Sequence, residues 1–66
     1  MRVTVNGEVR EAAPGASLLE FLASLGIDPA KVAIERNLEI APRSTWAGLA
    51  VADGDRLEIV QFVGGG

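Results

Sequence analysis

Apolar and polar residues alternate at the start of the chain, where Thr4 separates Val3 from Val5. A two-residue period of this kind is typical of a strand with one buried face. Asn6-Gly7 follows directly and favours a type I′ hairpin turn, because both central positions of that turn need positive φ. The pattern therefore predicts a strand, a tight turn and a returning strand over residues 8–12.

A helical period replaces this alternation over residues 17–25. Apolar side chains recur three and four positions apart and form one stripe: Leu18, Phe21, Leu22 and Leu25. Ser17 and Glu20 have the spacing of a capping box, which satisfies free amides of the first turn. Gly26 stands where a left-handed residue commonly ends a helix. These residues predict a short amphipathic helix that packs on a core.

The second half of the chain predicts further strands. Residues 31–36 form one strand, residues 37–39 a turn, and Ile40 a short strand or bridge. Residues 44–49 favour a loop with one helical turn. Residues 56–63 are apolar on both faces, which predicts a final strand in the middle of the sheet.

The order of the predicted elements indicates an α+β fold. If the final strand lies parallel beside the first, one main helix crosses one face of a mixed sheet of four to five strands. The whole chain, residues 1–66, is expected to form a single domain. Residues 63–66 are expected to be a flexible tail, because glycine is costly to order.

Composition excludes several functions. The chain of 66 residues contains neither cysteine nor histidine, which removes a thiol nucleophile, an imidazole base and the usual zinc ligands. The net charge is −3 and the six basic residues are scattered, so no nucleic-acid site is expected. No apolar stretch can span a bilayer, and no signal peptide is evident. We expect a cytoplasmic protein that is monomeric when free and has no catalytic or metal-binding residues.

Two residues admit a functional interpretation beside a structural one. Trp46 could contact a partner, although a lone tryptophan in a small domain more often packs in the core. Asp53 could pass for a catalytic acid, although Asp-Gly before an apolar strand is far more often a turn. Both structural interpretations are favoured here.

Three glycines end the sequence and leave the carboxylate of Gly66 as its terminal reactive group. A thin tail can enter a narrow tunnel and present this carboxylate to another protein's active site. A frayed end is the simpler explanation of such a terminus taken alone. The remaining sequence decides between the two.

The chain resembles the ubiquitin-like β-grasp sulfur carriers, and among them the ThiS family of the thiamin pathway. The resemblance extends over essentially the whole chain and rests on these segments: the Asn6-Gly7 hairpin, the helix capped by Ser17, residues 32–37, 40–44 and 53–60, and the final glycines. One departure is Leu38, where the family often has glycine. This position must therefore use a different turn, or place Asn37 at positive φ.

The resemblance implies a carrier that partner enzymes modify. A ThiF-like adenylyltransferase would use ATP and Mg²⁺ to activate the Gly66 carboxylate, while the chain itself would bind no cofactor. Sulfur from a donor such as a cysteine desulfurase would then convert Gly66 to a thiocarboxylate. Thiazole synthase, ThiG, would incorporate this sulfur into the thiazole of thiamin.

The residues near the end suit this role. Gly64 and Gly65 have no side chains and could thread a partner's tunnel beside Gly66. Phe62 and Val63 stand where the predicted strand gives way to the tail, and with Val60 they are candidate partner-binding residues. Phe62 could equally be a packing residue at the end of the strand.

Other functions remain open at this point. The small subunit of molybdopterin synthase is a related carrier, and carriers for other sulfur products are possible. A ubiquitin-like protein modifier would use Gly66 to form an isopeptide bond with lysine. A passive interaction module would not need its last two glycines, whereas an enzyme lacks any visible catalytic constellation.

Overall fold

The computed structural model describes residues 1–62. The predictions for residues 63–66, a strand end and a flexible tail, lie outside this part of the chain. Five strands and one α-helix form the described structure, and two short 3₁₀ turns, Pro29–Lys31 and Arg43–Thr45, connect them. The elements are β1 (Arg2–Val5), β2 (Glu8–Glu11), α1 (Leu18–Ser24), β3 (Val32–Arg36), β4 (Glu39–Ile40) and β5 (Arg56–Gln61).

The five strands form one mixed sheet in the order β2-β1-β5-β3-β4. β1 and β5 are parallel, and the other neighbouring strands are antiparallel. α1 packs on one face of this sheet, which is the predicted β-grasp arrangement. β5 lies in the centre, as its apolar run predicts, although it ends at Gln61 within the described chain.

The ends of α1 confirm the predicted capping. The Ser17 hydroxyl accepts from the Glu20 amide at 3.0 Å, and the Ser17 amide donates to Glu20 Oε1 at 2.8 Å. Leu25 is the C-cap residue, and Gly26 follows with φ of 72°. A helix of only seven residues is marginal by itself, so its stability depends on these caps and on packing.

Two hairpins turn through residues with positive φ. Asn6 and Gly7 have φ of 48° and 83°, which confirms the predicted type I′ geometry. Asn37 and Leu38 have φ of 51° and 71°, so the predicted turn over residues 37–39 contains two central residues rather than three. Leucine in this conformation is strained, because its Cβ approaches the following carbonyl oxygen.

The core lies between α1 and the covered face of the sheet. Its buried apolar residues form one cluster: Val3, Val5, Ala12, Leu18, Phe21, Leu22, Val32, Ile34, Ala41, Trp46, Val51 and Leu57. Trp46 is 2% exposed, and its Nε1 donates to the Ala41 carbonyl at 2.8 Å. Arg43 lies over the indole ring at 4.8 Å. Trp46 is therefore a packing residue, as the structural interpretation predicts.

One acidic side chain is buried beside this core. Asp55 is 5% exposed, and its carboxylate accepts from Arg36 Nε, Asn37 Nδ2 and the Ala52 amide. Burial raises the pKa of the Asp55 carboxyl, but the Ala52, Arg36 and Asn37 donors, with the charge of Arg36, lower it more. The net pKa lies below its ordinary value. Asp55 thus joins the β3–β4 hairpin to the segment that enters β5.

Candidate partner-binding surface

α1 covers only one face of the sheet, and the opposite face carries the alternate residues of each strand. We call this second surface the open face. Strand register assigns to it Arg2, Thr4, Val9, Glu11, Ala33, Glu35, Ile40, Arg56, Glu58 and Val60, with Phe62 continuing the alternation of β5. All of these residues except Thr4 are exposed.

The last described residues combine exposure with a defined position. Val60 is 63% exposed and Phe62 is 50% exposed. The Phe62 amide donates to the Lys31 carbonyl at 2.8 Å, so pairing with the chain beside β3 continues one residue past β5. The structure brings Val60 and Phe62 to one surface at the end of the described chain. Val63, Gly64, Gly65 and Gly66, the other proposed site residues, lie outside the described residues.

Sequence reasoning missed the apolar neighbours of these residues. Ala33 pairs directly with Val60 across β3 and β5. Ile40, which is 77% exposed, pairs with Glu35 on the outer strand β4. The signal that would have found them is strand register, because residues directly opposite each other share a face. Apolar side chains therefore occur on three adjacent strands of the open face.

Two carboxylates stand at the centre of the open face. Glu35 of β3 pairs directly with Glu58 of β5. At the two ends of the β3–β5 ladder, the Phe62 amide donates to the Lys31 carbonyl and the Asn37 amide donates to the Arg56 carbonyl. Hydrogen-bonded and non-hydrogen-bonded residue pairs alternate between these two ends. By this alternation Glu35 and Glu58 are a hydrogen-bonded pair, with Cα atoms about 5.5 Å apart. We call these two residues the acidic pair.

The acidic pair has no ion-pair partner within residues 1–62. The ion pairs of this part of the chain involve other carboxylates, those of Glu8, Glu11 and Asp55. Arg56 precedes Glu58 by two residues on the same face, but it lies beyond the 4.0 Å ion-pair distance from both carboxylates. Like charges directly opposite each other destabilise a sheet. The open face thus combines apolar side chains with two opposed carboxylates that form no ion pair within residues 1–62.

The remaining candidate residues have structural roles. Asp53 Oδ1 accepts from the Arg2 amide at 2.8 Å and so ties its turn to β1, as the turn interpretation predicts. Among residues 1–62 no three acidic side chains converge into an arrangement that could hold a metal ion. In the same range, no helix has the length and apolar character needed to cross a membrane.

Comparison with known proteins gives one consistent family. A model of the ThiS family matches residues 3–66. The chain is 33% identical over 66 residues to the sulfur carrier protein ThiS of Escherichia coli, with 100% of both chains covered. It is also similar to the crystal structure of a thiamine biosynthesis protein (ThiS) from Geobacter metallireducens, with a TM-score of 0.84, 33% identity and full coverage of both chains.

A longer relative is also similar. The chain is 52% identical over all its 66 residues to a thiazole synthase of Paramagnetospirillum magneticum. It spans only 20% of the length of that protein. A segment similar to this whole chain is therefore part of a larger polypeptide in that organism.

Proposed function

This chain belongs to the ThiS family of sulfur carrier proteins for thiamin biosynthesis, and we propose that it holds sulfur as a thiocarboxylate on Gly66. The full-length similarity to the Escherichia coli carrier, together with the matching fold, is the observation that supports this proposal most strongly. The chain itself acts as a carrier rather than as an enzyme, and partner proteins carry out the chemistry on its last residue.

Activation comes first, because a carboxylate is a poor electrophile. In a ThiF-like partner, a Gly66 carboxylate oxygen attacks the α-phosphorus of Mg²⁺-bound ATP, and pyrophosphate leaves. The product is an acyl adenylate with AMP as a good leaving group. ATP and Mg²⁺ are bound by the partner in this scheme, and the expected compartment is the cytoplasm.

Sulfur then replaces AMP. A persulfide, such as one formed by a cysteine desulfurase, attacks the Gly66 carbonyl carbon through its terminal sulfur and AMP departs. The resulting acyl disulfide is reduced by a thiol, which forms a disulfide with the donor sulfur and releases the thiocarboxylate. Gly64 and Gly65 assist by fitting a narrow passage, because neither has a Cβ atom.

Delivery to thiazole synthase is the next step of the proposal. Its support is the similarity of this entire chain to one fifth of a thiazole synthase polypeptide. Val60 and Phe62, exposed beside the root of the tail, supply contacts for partners, and Val63 is proposed to extend them. The single globular domain then serves to dock, while Gly66 reaches the reacting centre.

Intact-mass spectrometry tests this function. The protein ending at Gly66 is incubated with a ThiF-like enzyme, ATP, Mg²⁺ and a persulfide donor with thiol. We expect a mass increase equal to the replacement of one oxygen by sulfur, and loss of this product when Gly65 and Gly66 are deleted together. Isopeptide ladders on lysines without the sulfur product would identify a protein modifier instead.

A second reconstitution decides between sulfur products. The loaded carrier is supplied either to thiazole synthase with its other substrates or to a large molybdopterin synthase subunit. Thiazole formation in the first reaction alone supports the proposal. Sulfur transfer only in the second would replace it with the molybdopterin carrier.

A further inference from the structure

We propose that the open face docks thiazole synthase, and that the acidic pair receives one basic side chain from that enzyme. The inference rests on the proposed function, and it adds the surface and the charge by which the partner is recognised. Its basis is the position of the acidic pair, the exposed apolar residues beside it and the short distance to the tail.

The length of the tail limits where a partner can bind. Residues 63–66 span at most about 14 Å when fully extended. A partner that reacts with Gly66 must therefore contact the body near Phe62. The open face begins at this point, because Val60 near the end of β5 and Phe62 just after it are both exposed. A partner bound there would also contact Glu58, which precedes Val60 by two residues on β5.

The acidic pair destabilises the free protein, because like charges lie directly opposite each other. Glu35 and Glu58 are exposed and directly opposite each other, and neither has an ion-pair partner among residues 1–62. A cationic side chain placed between them would remove this repulsion and would be attracted by both carboxylates. The apolar residues around the pair would exclude water and strengthen that attraction.

Thiazole synthase is the partner that this comparison favours. In the Paramagnetospirillum magneticum relative, a segment 52% identical to this chain belongs to the same polypeptide as the rest of a thiazole synthase. Linkage in one chain raises the effective concentration of two surfaces that must meet. The proposed contact is an arginine or lysine on the enzyme, bordered by apolar side chains that cover Val60 and Ile40.

Neutral variants of the acidic pair test the inference. Glu35→Gln and Glu58→Gln preserve size while removing one charge each. We expect each variant to raise the Tm of the free carrier by about 1–4 °C, because a cross-strand repulsion is removed. We expect the same variants to weaken binding to thiazole synthase by roughly 10- to 100-fold in Kd, measured by calorimetry. A gain in stability with a loss of binding separates docking from a structural role.

Glu39→Gln is the matched control. Glu39 is exposed and loses the same charge, but its register partner is Arg36, which places it on the side of the sheet opposite to the open face. We expect its Kd for thiazole synthase to stay within about twofold of wild type. The dependence of Kd on NaCl should also be weaker for Glu35→Gln and Glu58→Gln than for this control, since salt screens the lost attraction.

Loading and docking are scored separately. If the wild-type protein acquires no sulfur on Gly66, the proposed function fails. If it is loaded but the acidic-pair variants bind thiazole synthase as tightly as Glu39→Gln does, the docking inference is overturned. Weakened binding to the ThiF-like enzyme alone would also overturn it, because the surface would then serve another partner.

Discussion

Replacement of Asp55 by alanine should destabilise the domain more than any other single charge removal among residues 1–62. Its Oδ2 accepts from Arg36 Nε at 2.9 Å and from the Ala52 amide at 2.8 Å. Its Oδ1 accepts from Asn37 Nδ2 at 3.1 Å. Asp55→Ala leaves these three donors without their acceptor and opens the connection between the β3–β4 hairpin and β5.

The loss in unfolding free energy depends on which of the three donors can hydrogen-bond to water in the variant. The Arg36 side chain is 27% exposed and can rehydrate in part, so the loss is smaller than for a fully buried ion pair. We expect a decrease in the free energy of unfolding of about 2–4 kcal/mol. For a domain of this size that corresponds to a Tm lower by more than about 10 °C.

Urea denaturation followed by the fluorescence of Trp46 measures this change, because Trp46 is the sole tryptophan and is buried. Asp53→Ala is the control, since Asp53 accepts one exposed hydrogen bond from the Arg2 amide. Its expected cost is about 0.5–1 kcal/mol. A cost for Asp55→Ala no larger than that of Asp53→Ala would refute the assigned role of the network.

The same side chain predicts a pH dependence. The pKa of Asp55 is lowered in the folded state, so the unfolded chain binds its proton more readily. The contribution of ionised Asp55 to folding stability is therefore complete above the unfolded pKa of about 3.9. This contribution is lost as the pH falls through the lower pKa of the folded state. The stability difference between wild type and Asp55→Ala should shrink below about pH 4. A difference that grows on acidification would contradict this sign.

Three smaller changes test the turns and the helix cap. Leu38→Gly should stabilise the fold by about 0.5–1 kcal/mol, because relief of positive-φ strain exceeds the entropy cost of glycine and Leu38 is 84% exposed; an unchanged or lower urea midpoint would contradict this. Asn6→Gly keeps the turn but removes the two hydrogen bonds between the Asn6 side chain and the Ile59 backbone. It should lower the free energy of unfolding by about 1–2 kcal/mol in the same assay. Ser17→Ala should cost about 1 kcal/mol and lower the helical signal in circular dichroism, whereas no change would show that the Glu20 capping box is dispensable.

Local patterns predicted the parts of the fold that depend on neighbouring residues. Asn6-Gly7 is enough to specify its turn, because both residues tolerate positive φ. The β3–β4 turn was harder to predict, since leucine disfavours the positive φ that Leu38 adopts there. Asn37 helps to fix that turn by donating to Asp55 and by accepting from the Arg56 amide, contacts 18 and 19 residues away along the chain. Local sequence carries no sign of such distant contacts.

The candidate site was predicted in part for the same reason. Val60 and Phe62 were identified because they precede the glycines in the sequence. Glu35 and Ile40 were not identified, because their place on the open face depends on the register of β3 with β4 and β5. The buried role of Asp55 was likewise missed, since its position after Gly54 is fully consistent with a simple turn.

The central place of β5 also has a mechanical consequence. This strand is hydrogen-bonded to β1 on one side and to β3 on the other, and Asn6 adds side-chain bonds to Ile59. A pull directed along β5 from its carboxyl end would load these bonds together, in shear, rather than opening them one after another. The described body should therefore resist a force applied at the carboxyl end of β5 better than a sheet with β5 at its edge would.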